Sequence, residues 1–222
     1  MSTFPASPTA QDERCNALFT QVATELRGPG YIVIDNALPL PLANALHKRV
    51  VSLREQGEMT EAGIGRGSDH MLATRVRQDS IHWLENSEKS EAGWITAMEK
   101  LRLRMNQELL LGLFSYESHF AHYAPGQAYK KHLDAFRGQS NRVLSTVYYL
   151  NPDWQPDQGG ELRIYDEADT ELETIAPVFN RLVIFLSEEF PHEVLPGSFN
   201  RNSIAGWFRV NTSTALAVDP PR

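Results

Sequence analysis

The hydrophobic residues are spaced differently in the two halves of the chain. In the first half they recur at intervals of three and four residues, the spacing of one face of an amphipathic helix. This spacing predicts three helices, at 12–26, 41–54 and 88–114. Two shorter apolar runs, YIVID at 31–35 and RQDSIHWL at 77–84, indicate strands. The first half of the chain therefore combines helices with a few short strands.

The second half consists of short β-rich runs separated by turn residues such as PG, NPD and QGG. Eight such runs fall within 118–210. So many short strands in so few residues predict a sandwich or jelly roll rather than a parallel sheet. We therefore expect a mainly β fold with helical support, of the α+β class. Its core would be a double-stranded β-helix, cupin-like, with the N-terminal helices packed on one sheet.

The length of 222 residues is compatible with one domain, expected to span 1–222. Residues 1–10 are interpreted as a loose tail and 118–210 as the jelly-roll core. The segment 58–76 is rich in glycine and polar residues and has little periodicity. Two interpretations of it stay open, a mobile loop that acts as a lid or an ordinary disordered excursion.

Composition and charge narrow the classes of function. The net charge of -7 disfavours binding to the phosphates of nucleic acid as the main role. A single cysteine, Cys15, can form neither an internal disulfide nor a thiolate zinc cage. The first residues lack the pattern of a secretory signal, and no apolar run is long enough to span a bilayer. We expect a soluble, cytoplasmic protein that binds no membrane, and any metal must be held by histidine and carboxylate.

One group of residues has the composition of a metal site. His132 and Asp134 are separated by one residue on an apparent strand, so both side chains point to one face. His192 follows a strongly apolar run later in the chain. Two histidines and one carboxylate form the facial triad of non-haem Fe(II) oxygenases, although the same set also suits catalytic zinc. Arg201, before the last strand, could hold a dicarboxylic 2-oxo acid, with Arg181 and Arg209 as competitors.

Several longer blocks carry a resemblance to a known family. The matching region runs from about residue 26 to 208. Its main blocks are HYAPGQAYKKHLD (122–134), RVLSTVYYLNPDW (142–154), GGELRIY (159–165), FNRLVIFLSEEFPHEVLP (179–196) and the pair Arg201 and Trp207. With them the chain resembles the Fe(II)/2-oxoglutarate-dependent dioxygenases. More narrowly, it resembles the prolyl 4-hydroxylases of the oxygen-sensing type and their bacterial counterparts.

The resemblance implies Fe(II), 2-oxoglutarate and O2 as cofactors, with ascorbate as a possible stimulant. It assigns the metal to His132, Asp134 and His192 and the distal carboxylate of 2-oxoglutarate to Arg201. The expected tyrosines are Tyr149, whose hydroxyl would contact the same carboxylate, and Tyr123 and Tyr129, which would line the pocket. On the substrate side it places Trp207 beside the target proline. It also implies a charged pair of Arg142 with Asp79, linking the sheet to the strand after the mobile loop.

The function that the resemblance implies is peptidyl-prolyl 4-hydroxylation, with release of succinate and CO2. The partner would be a proline-containing protein, and elongation factor Tu is the candidate for a bacterial-type member. Alternatives from the residues stay open. The same cofactors could serve a free amino acid, another protein residue or an alkylated nucleobase. The domain could also be a metal-binding jelly-roll sensor without turnover, or a zinc hydrolase. The loop sequence EMTEAGIGRGSDHML is peculiar to this chain, as is the interval from Asp134 to Arg142, so the identity of the substrate stays open.

Overall fold

The computed structural model describes residues 10–62, 77–136 and 140–211. Three helices lie in the first half of this region: α1 Ala10–Arg27, α2 Leu40–Glu55 and α3 Lys89–Leu109. The early strands are β1 Tyr31–Ile34, β2 Thr60–Glu61 and β3 Ser80–Trp83. The later strands are β4 Leu113–Tyr123, β5 Tyr129–His132, β6 Arg142–Tyr149, β7 Leu162–Tyr165, β8 Glu171–Ile175, β9 Leu182–Leu186, β10 His192–Val194 and β11 Arg201–Val210.

The strands form two antiparallel sheets. The larger has seven strands in the order β1-β9-β6-β11-β4-β3-β2, and the smaller has four in the order β5-β10-β7-β8. After β4 the chain crosses between the two sheets at every connection except that from β7 to β8, which are neighbours in the smaller sheet, and this is how a jelly roll closes around its interior. The expected fold class, a β-sandwich of this kind with helical support, is confirmed.

The helices cover one face of the larger sheet. α3 contacts α1, α2 and β4. Its buried side chains recur at helical spacing and meet the outward-facing residues of the sheet. The resulting cluster includes Leu46, Trp94, Met105, Tyr148 and Phe208, which are all fully buried. A second, smaller cluster lies between the two sheets and includes Tyr149, Ile164 and Phe185.

The third helix is shorter than its hydrophobic pattern predicts. The prediction extended it to residue 114, but it ends at Leu109 and Leu113 already begins β4. Leu110 adopts a left-handed backbone with φ 55° and Gly112 follows at φ 66°, so the chain turns sharply. The Asn106 side chain then accepts from the Leu113 N–H at 2.7 Å and donates to its carbonyl at 2.8 Å. The apolar run 109–114 therefore serves a helix end and a strand start in succession.

Other predictions fall partly outside the described region. Within the segment 58–76, Thr60 and Glu61 form the short strand β2 beside Ile81 and Ser80. Residues 63–76 lie outside the described residues, as do residues 1–9 of the expected tail. No helix of the described residues is long and apolar enough to cross a membrane.

Candidate active site

The three expected metal ligands meet at one end of the space between the sheets. β5 and β10 pair so that His132 and His192 are direct partners, with ring centroids 4.3 Å apart. Asp134 follows β5 in a bend. Its carboxylate oxygens lie 3.7 Å from Nε2 of His132 and 3.6 Å from Nε2 of His192. One donor atom from each residue lies within 4.8 Å of the other two, a spacing that suits a single ion.

Both imidazoles are oriented by backbone carbonyls. Nδ1 of His132 lies 2.8 Å from the Lys130 carbonyl, and Nδ1 of His192 lies 3.0 Å from the Phe190 carbonyl. Nδ1 of each ring therefore donates to a carbonyl, which turns Nε2 toward Asp134 and makes it the atom available to a metal. Burial and the neighbouring His192 lower the pKa of His132 to about 4, so its ring is neutral at physiological pH. A neutral imidazole is the form that binds metal.

The Asp134 carboxylate is ionised, and its side chain is only 10% exposed. Burial alone would raise its pKa, but the two histidines and the Ser145 hydroxyl outweigh burial, so the pKa lies below its ordinary value. Two imidazoles and one carboxylate are the donor set of a non-haem Fe(II) site that leaves coordination positions open. The residues present therefore fit the Fe(II) that the sequence implies.

Arg201 lies deeper between the sheets, at the start of β11. Its Nε donates to the Gly160 carbonyl at 2.8 Å and its Nη1 to the Ser203 hydroxyl at 3.2 Å. Its Nη2, although buried, has no hydrogen-bond partner among the described residues, and neither has the hydroxyl of Tyr149. The guanidinium lies 5.1 Å from the ring centroids of both Tyr149 and Tyr123.

These two unpaired polar groups indicate the chemistry of the ligand that the cavity binds. Buried polar groups are costly when unpaired, so a native site normally satisfies them. A carboxylate would accept from both Nη2 of Arg201 and the Tyr149 hydroxyl. Burial raises the pKa of Tyr149 to about 12 in spite of Arg201, so the hydroxyl keeps its proton and can donate. Arg201 and Tyr149 therefore fit a carboxylate of the 2-oxo acid that the sequence implies, in the same cavity that the triad lines.

The competing arginines are engaged elsewhere. Arg181 forms an ion pair with Asp35 at 2.6 Å. Arg209 lies 3.4 Å from Glu117. The alternation of side chains along β6 separates its two tyrosines, because Tyr148 packs in the helix-facing cluster and Tyr149 in the cluster between the sheets.

Nine of the ten sequence-predicted site residues line one cavity, and Tyr149 lies behind Arg201. The nine are His132, Asp134, His192, Arg201, Tyr123, Tyr129, Trp207, Arg142 and Asp79. Trp207 is buried, with the Arg142 guanidinium 3.7 Å above its ring. Its indole N–H makes no hydrogen bond among the described residues.

One expected contact is wrong. Arg142 and Asp79, both within the described region, do not pair. Arg77, two residues before Asp79, donates to its two carboxylate oxygens at 2.6 and 2.9 Å. Arg142 instead donates to Glu117 at 3.0 Å. The physical reason is proximity, since each arginine finds a carboxylate nearer than the one that the resemblance implied.

Sequence reasoning missed four residues around the cavity: Arg77, Glu117, His119 and Ser145. His119 is buried between Trp83 and Trp207, with its Nε2 3.2 Å from Nη2 of Arg77. The i, i+2 spacing of Arg77 and Asp79 could have suggested their pairing. For Glu117 and Ser145 the position becomes visible only once the strand register is known.

The comparisons with known proteins agree with this geometry. The family described as the 2OG-Fe(II) oxygenase superfamily matches residues 118–209. The chain belongs to this superfamily.

Among solved structures, it is similar to a prolyl-4-hydroxylase of Pseudomonas putida, with 37% identity and a TM-score of 0.80 over 86% of this chain and 99% of that one. It is also similar to a prolyl hydroxylase of Trichoplax adhaerens that was solved with a hypoxia inducible factor peptide, with 26% identity and a TM-score of 0.82 over 92% and 94% of the two chains. Among curated proteins, human Egl nine homolog 1 is 28% identical over 81% of this chain. The chain spans 43% of that protein's length.

Proposed function

We propose that this protein is an Fe(II)- and 2-oxoglutarate-dependent prolyl 4-hydroxylase that acts on a proline within a protein substrate. The observation that carries the proposal is the pairing of the His132, Asp134 and His192 triad with a buried arginine that has a free donor. A hydrolytic zinc site would need no such arginine. The iron and 2-oxoglutarate, when bound, supply the oxidative chemistry. In that chemistry one oxygen atom of O2 would end up in succinate, with release of CO2, and the other in the new hydroxyl group of the substrate.

The chain's own residues position and enclose the reactants. Arg201 and Tyr149 hold the distal carboxylate of 2-oxoglutarate by charge-assisted and neutral hydrogen bonds. The buried rings of Tyr123 and Trp207 keep the space beside the triad apolar, which limits the access of water. His132, Asp134 and His192 offer three ligands on one side of the ion and leave the other side to the co-substrate and O2.

The protein substrate enters on the side of Trp207 and Arg142. The Arg142 guanidinium covers the Trp207 ring, and because Arg142 is partly exposed it offers donors to the carbonyls of an extended peptide. Two relatives support proline as the target, because they are described as prolyl hydroxylases and one was solved with a peptide. Elongation factor Tu is the candidate substrate. A cytoplasmic location and stimulation by ascorbate stay predictions from the sequence.

The test is mass spectrometry of a lysate treated with the protein, Fe(II) and 2-oxoglutarate. The expected result is succinate formation together with a gain of one oxygen atom on a specific proline, with elongation factor Tu inspected first. The His192→Ala variant is the control and should give neither signal. Succinate with oxygen on a different residue or on a free amino acid would overturn proline as the target. If the wild-type protein formed neither product while binding both iron and 2-oxoglutarate, the sensor interpretation would replace the enzyme.

A further inference from the structure

We propose that Ser145 and Ser187 form a hydroxyl relay that orients the Asp134 carboxylate for metal binding. Ser145 is then a positioning residue, acting through Asp134 rather than on a reactant. The proposal deepens the metal site and rests on the proposed function in that respect. It concerns residues that neither the composition of the triad nor the family comparison assigns.

Asp134 is the metal ligand that the backbone fixes least. His132 and His192 lie on paired strands, and each ring is held by a carbonyl two residues earlier in its own segment. Asp134 instead lies in a bend beyond the end of β5, outside the strand ladder. Its χ angles must therefore be set by contacts from another part of the fold.

Ser145 supplies such a contact from the larger sheet. Its Oγ donates to Oδ2 of Asp134 at 2.7 Å, and Ser187 Oγ lies 2.9 Å from Ser145 Oγ. An ionised carboxylate can only accept, so the Ser145 proton is committed to Asp134. In the second hydrogen bond Ser187 must therefore be the donor. The relay has one direction, from Ser187 through Ser145 to Asp134, and each donation strengthens the next.

The strand register places the two serines side by side. β6 pairs with β9 so that Leu144 opposes Leu186 and Ser145 opposes Phe185. Ser187 directly follows β9 and its N–H donates to the Val143 carbonyl at 3.0 Å. The two side chains therefore converge from adjacent antiparallel strands that are both rigidly paired.

The burial of both serine hydroxyls supports a role in orienting Asp134 rather than in stabilising the fold. Ser145 is 1% exposed and Ser187 is fully buried. Most other buried positions of β9 and β6 carry leucine, valine, isoleucine or an aromatic side chain. A buried hydroxyl adds little net stability relative to an apolar group of the same shape. Its benefit here is the orientation of a carboxylate that must ligate a metal.

The test measures Mn(II) affinity of the full-length protein without 2-oxoglutarate, by electron paramagnetic resonance titration. Ser145→Ala is expected to weaken Mn(II) binding by about 10–100-fold, the usual cost of losing a partner of a metal ligand. Ser145→Thr keeps the hydroxyl and should restore most of the affinity. Ser187→Ala should weaken Mn(II) binding less than Ser145→Ala does. Its effect should disappear in the Ser145→Ala background, because Ser187 can then no longer act on Asp134 through the Ser145 hydroxyl.

The matched control is Ser118→Ala. Ser118 is another buried serine, but its hydroxyl accepts from Trp94 Nε1 at 3.2 Å on the helix-facing side of β4. Its loss should leave Mn(II) affinity unchanged. Urea unfolding of every variant, followed by circular dichroism, separates altered metal binding from loss of the fold.

The possible outcomes separate a failure of the relay from a failure of the proposed metal site. If His192→Ala abolishes Mn(II) binding while Ser145→Ala binds like the wild type, the relay is wrong and the metal site stands. If His192→Ala binds like the wild type, the proposed metal site is wrong. Should Ser145→Ala fail to fold, Ser187→Ala decides the question: weaker Mn(II) binding than in the wild type would support the relay, and wild-type affinity would overturn it.

Discussion

The rings of Tyr129 and His132 are stacked face to face, with centroids 3.6 Å apart and planes inclined by 15°. The Arg77 guanidinium lies on the ring of Tyr129 as well, 5.2 Å from its centroid, and the backbones of Arg77 and Tyr129 form an isolated antiparallel bridge. Tyr129 therefore links a metal ligand of its own strand to the segment that precedes β3. This contact joins the two sheets at the mouth of the cavity.

The stack predicts that the Tyr129 ring matters for metal binding more than its hydroxyl does. Tyr129→Phe should keep Mn(II) affinity within about twofold, since the stacked area is unchanged. Tyr129→Ala removes a stacking contact worth roughly 0.5–1.5 kcal/mol and should weaken affinity by about 2–10-fold. Titration with Mn(II) checks both variants, and equal losses in both would contradict the stacking argument.

Removal of the Arg201 side chain should selectively weaken binding of the co-substrate. Arg201→Ala deletes a charge-assisted contact worth roughly 1.5–3 kcal/mol per hydrogen bond, so the Kd for 2-oxoglutarate should rise by about 100-fold. Tyr149→Phe deletes one neutral hydrogen bond and should raise it by about tenfold or less. The measurement is calorimetry with the Mn(II)-loaded protein. A parallel fall in Mn(II) affinity would show that the site had collapsed, which contradicts the assigned roles.

Gly160 should be required for the position of Arg201. Its φ of +78° disfavours other residues, and an added Cβ would lie 2.9 Å from the Phe199 ring and 3.4 Å from Cδ of Arg201. Gly160→Ala should therefore raise the Kd for 2-oxoglutarate as well as lower stability. Gly57→Ala is the matched control, because Gly57 also has a positive φ but has no atom within 4 Å of an added Cβ. It should lower stability by about 1 kcal/mol and leave 2-oxoglutarate binding unchanged.

The sequence predicted residues whose chemistry is distinctive and missed those whose importance is positional. His132, Asp134, His192 and Arg201 combine residue types that few other functions require, and a known family has them at the same spacing. Ser145 has no such signature, since any serine on a strand looks the same in sequence. Its contact with Asp134 depends on how β6 lies behind the bend after β5.

The ion pairs show a second limit of prediction from the sequence. A pair between Arg142 and Asp79 was inferred from matching positions, but each arginine has more than one carboxylate within reach of the folded chain. The register of the strands decides which carboxylate pairs with each arginine. Glu117 opposes Trp207 across the β4–β11 ladder, and Arg209 opposes Arg142 across the β11–β6 ladder. Glu117 is thereby brought between two arginines, which no local pattern in the sequence indicates.

A double-mutant cycle distinguishes the two pairings. The coupling energy between Arg142 and Glu117, measured from urea unfolding, should be about 1 kcal/mol or more because Glu117 is almost fully buried. The coupling between Arg142 and Asp79 should lie within about 0.5 kcal/mol of zero. Glu117→Ala leaves Arg142 and Arg209 without this shared partner and should destabilise the protein by roughly 3 kcal/mol. A larger coupling to Asp79 than to Glu117 would restore the pair implied by the resemblance.

His119 should make the metal-free protein less stable as the pH falls below neutrality. Burial, together with the positive charges of Arg77 and Arg142, lowers the pKa of His119 from its ordinary 6.5 to about 4, and Asp79 opposes this only in part. Between these two values the unfolded chain binds a proton that the folded protein does not bind, so the free energy of unfolding falls as the pH decreases. The contribution of His119 to the free energy of unfolding is complete above about pH 7 and is lost by about pH 4, on the order of 3 kcal/mol in total.

His119→Gln keeps an acceptor for Arg77 but cannot titrate, so its unfolding free energy should fall less than that of the wild type over the same range. Urea unfolding of both proteins at several pH values gives the difference, in which the carboxylates common to both proteins cancel. Parallel curves for the two proteins would show that His119 takes up its proton equally in the folded and unfolded states.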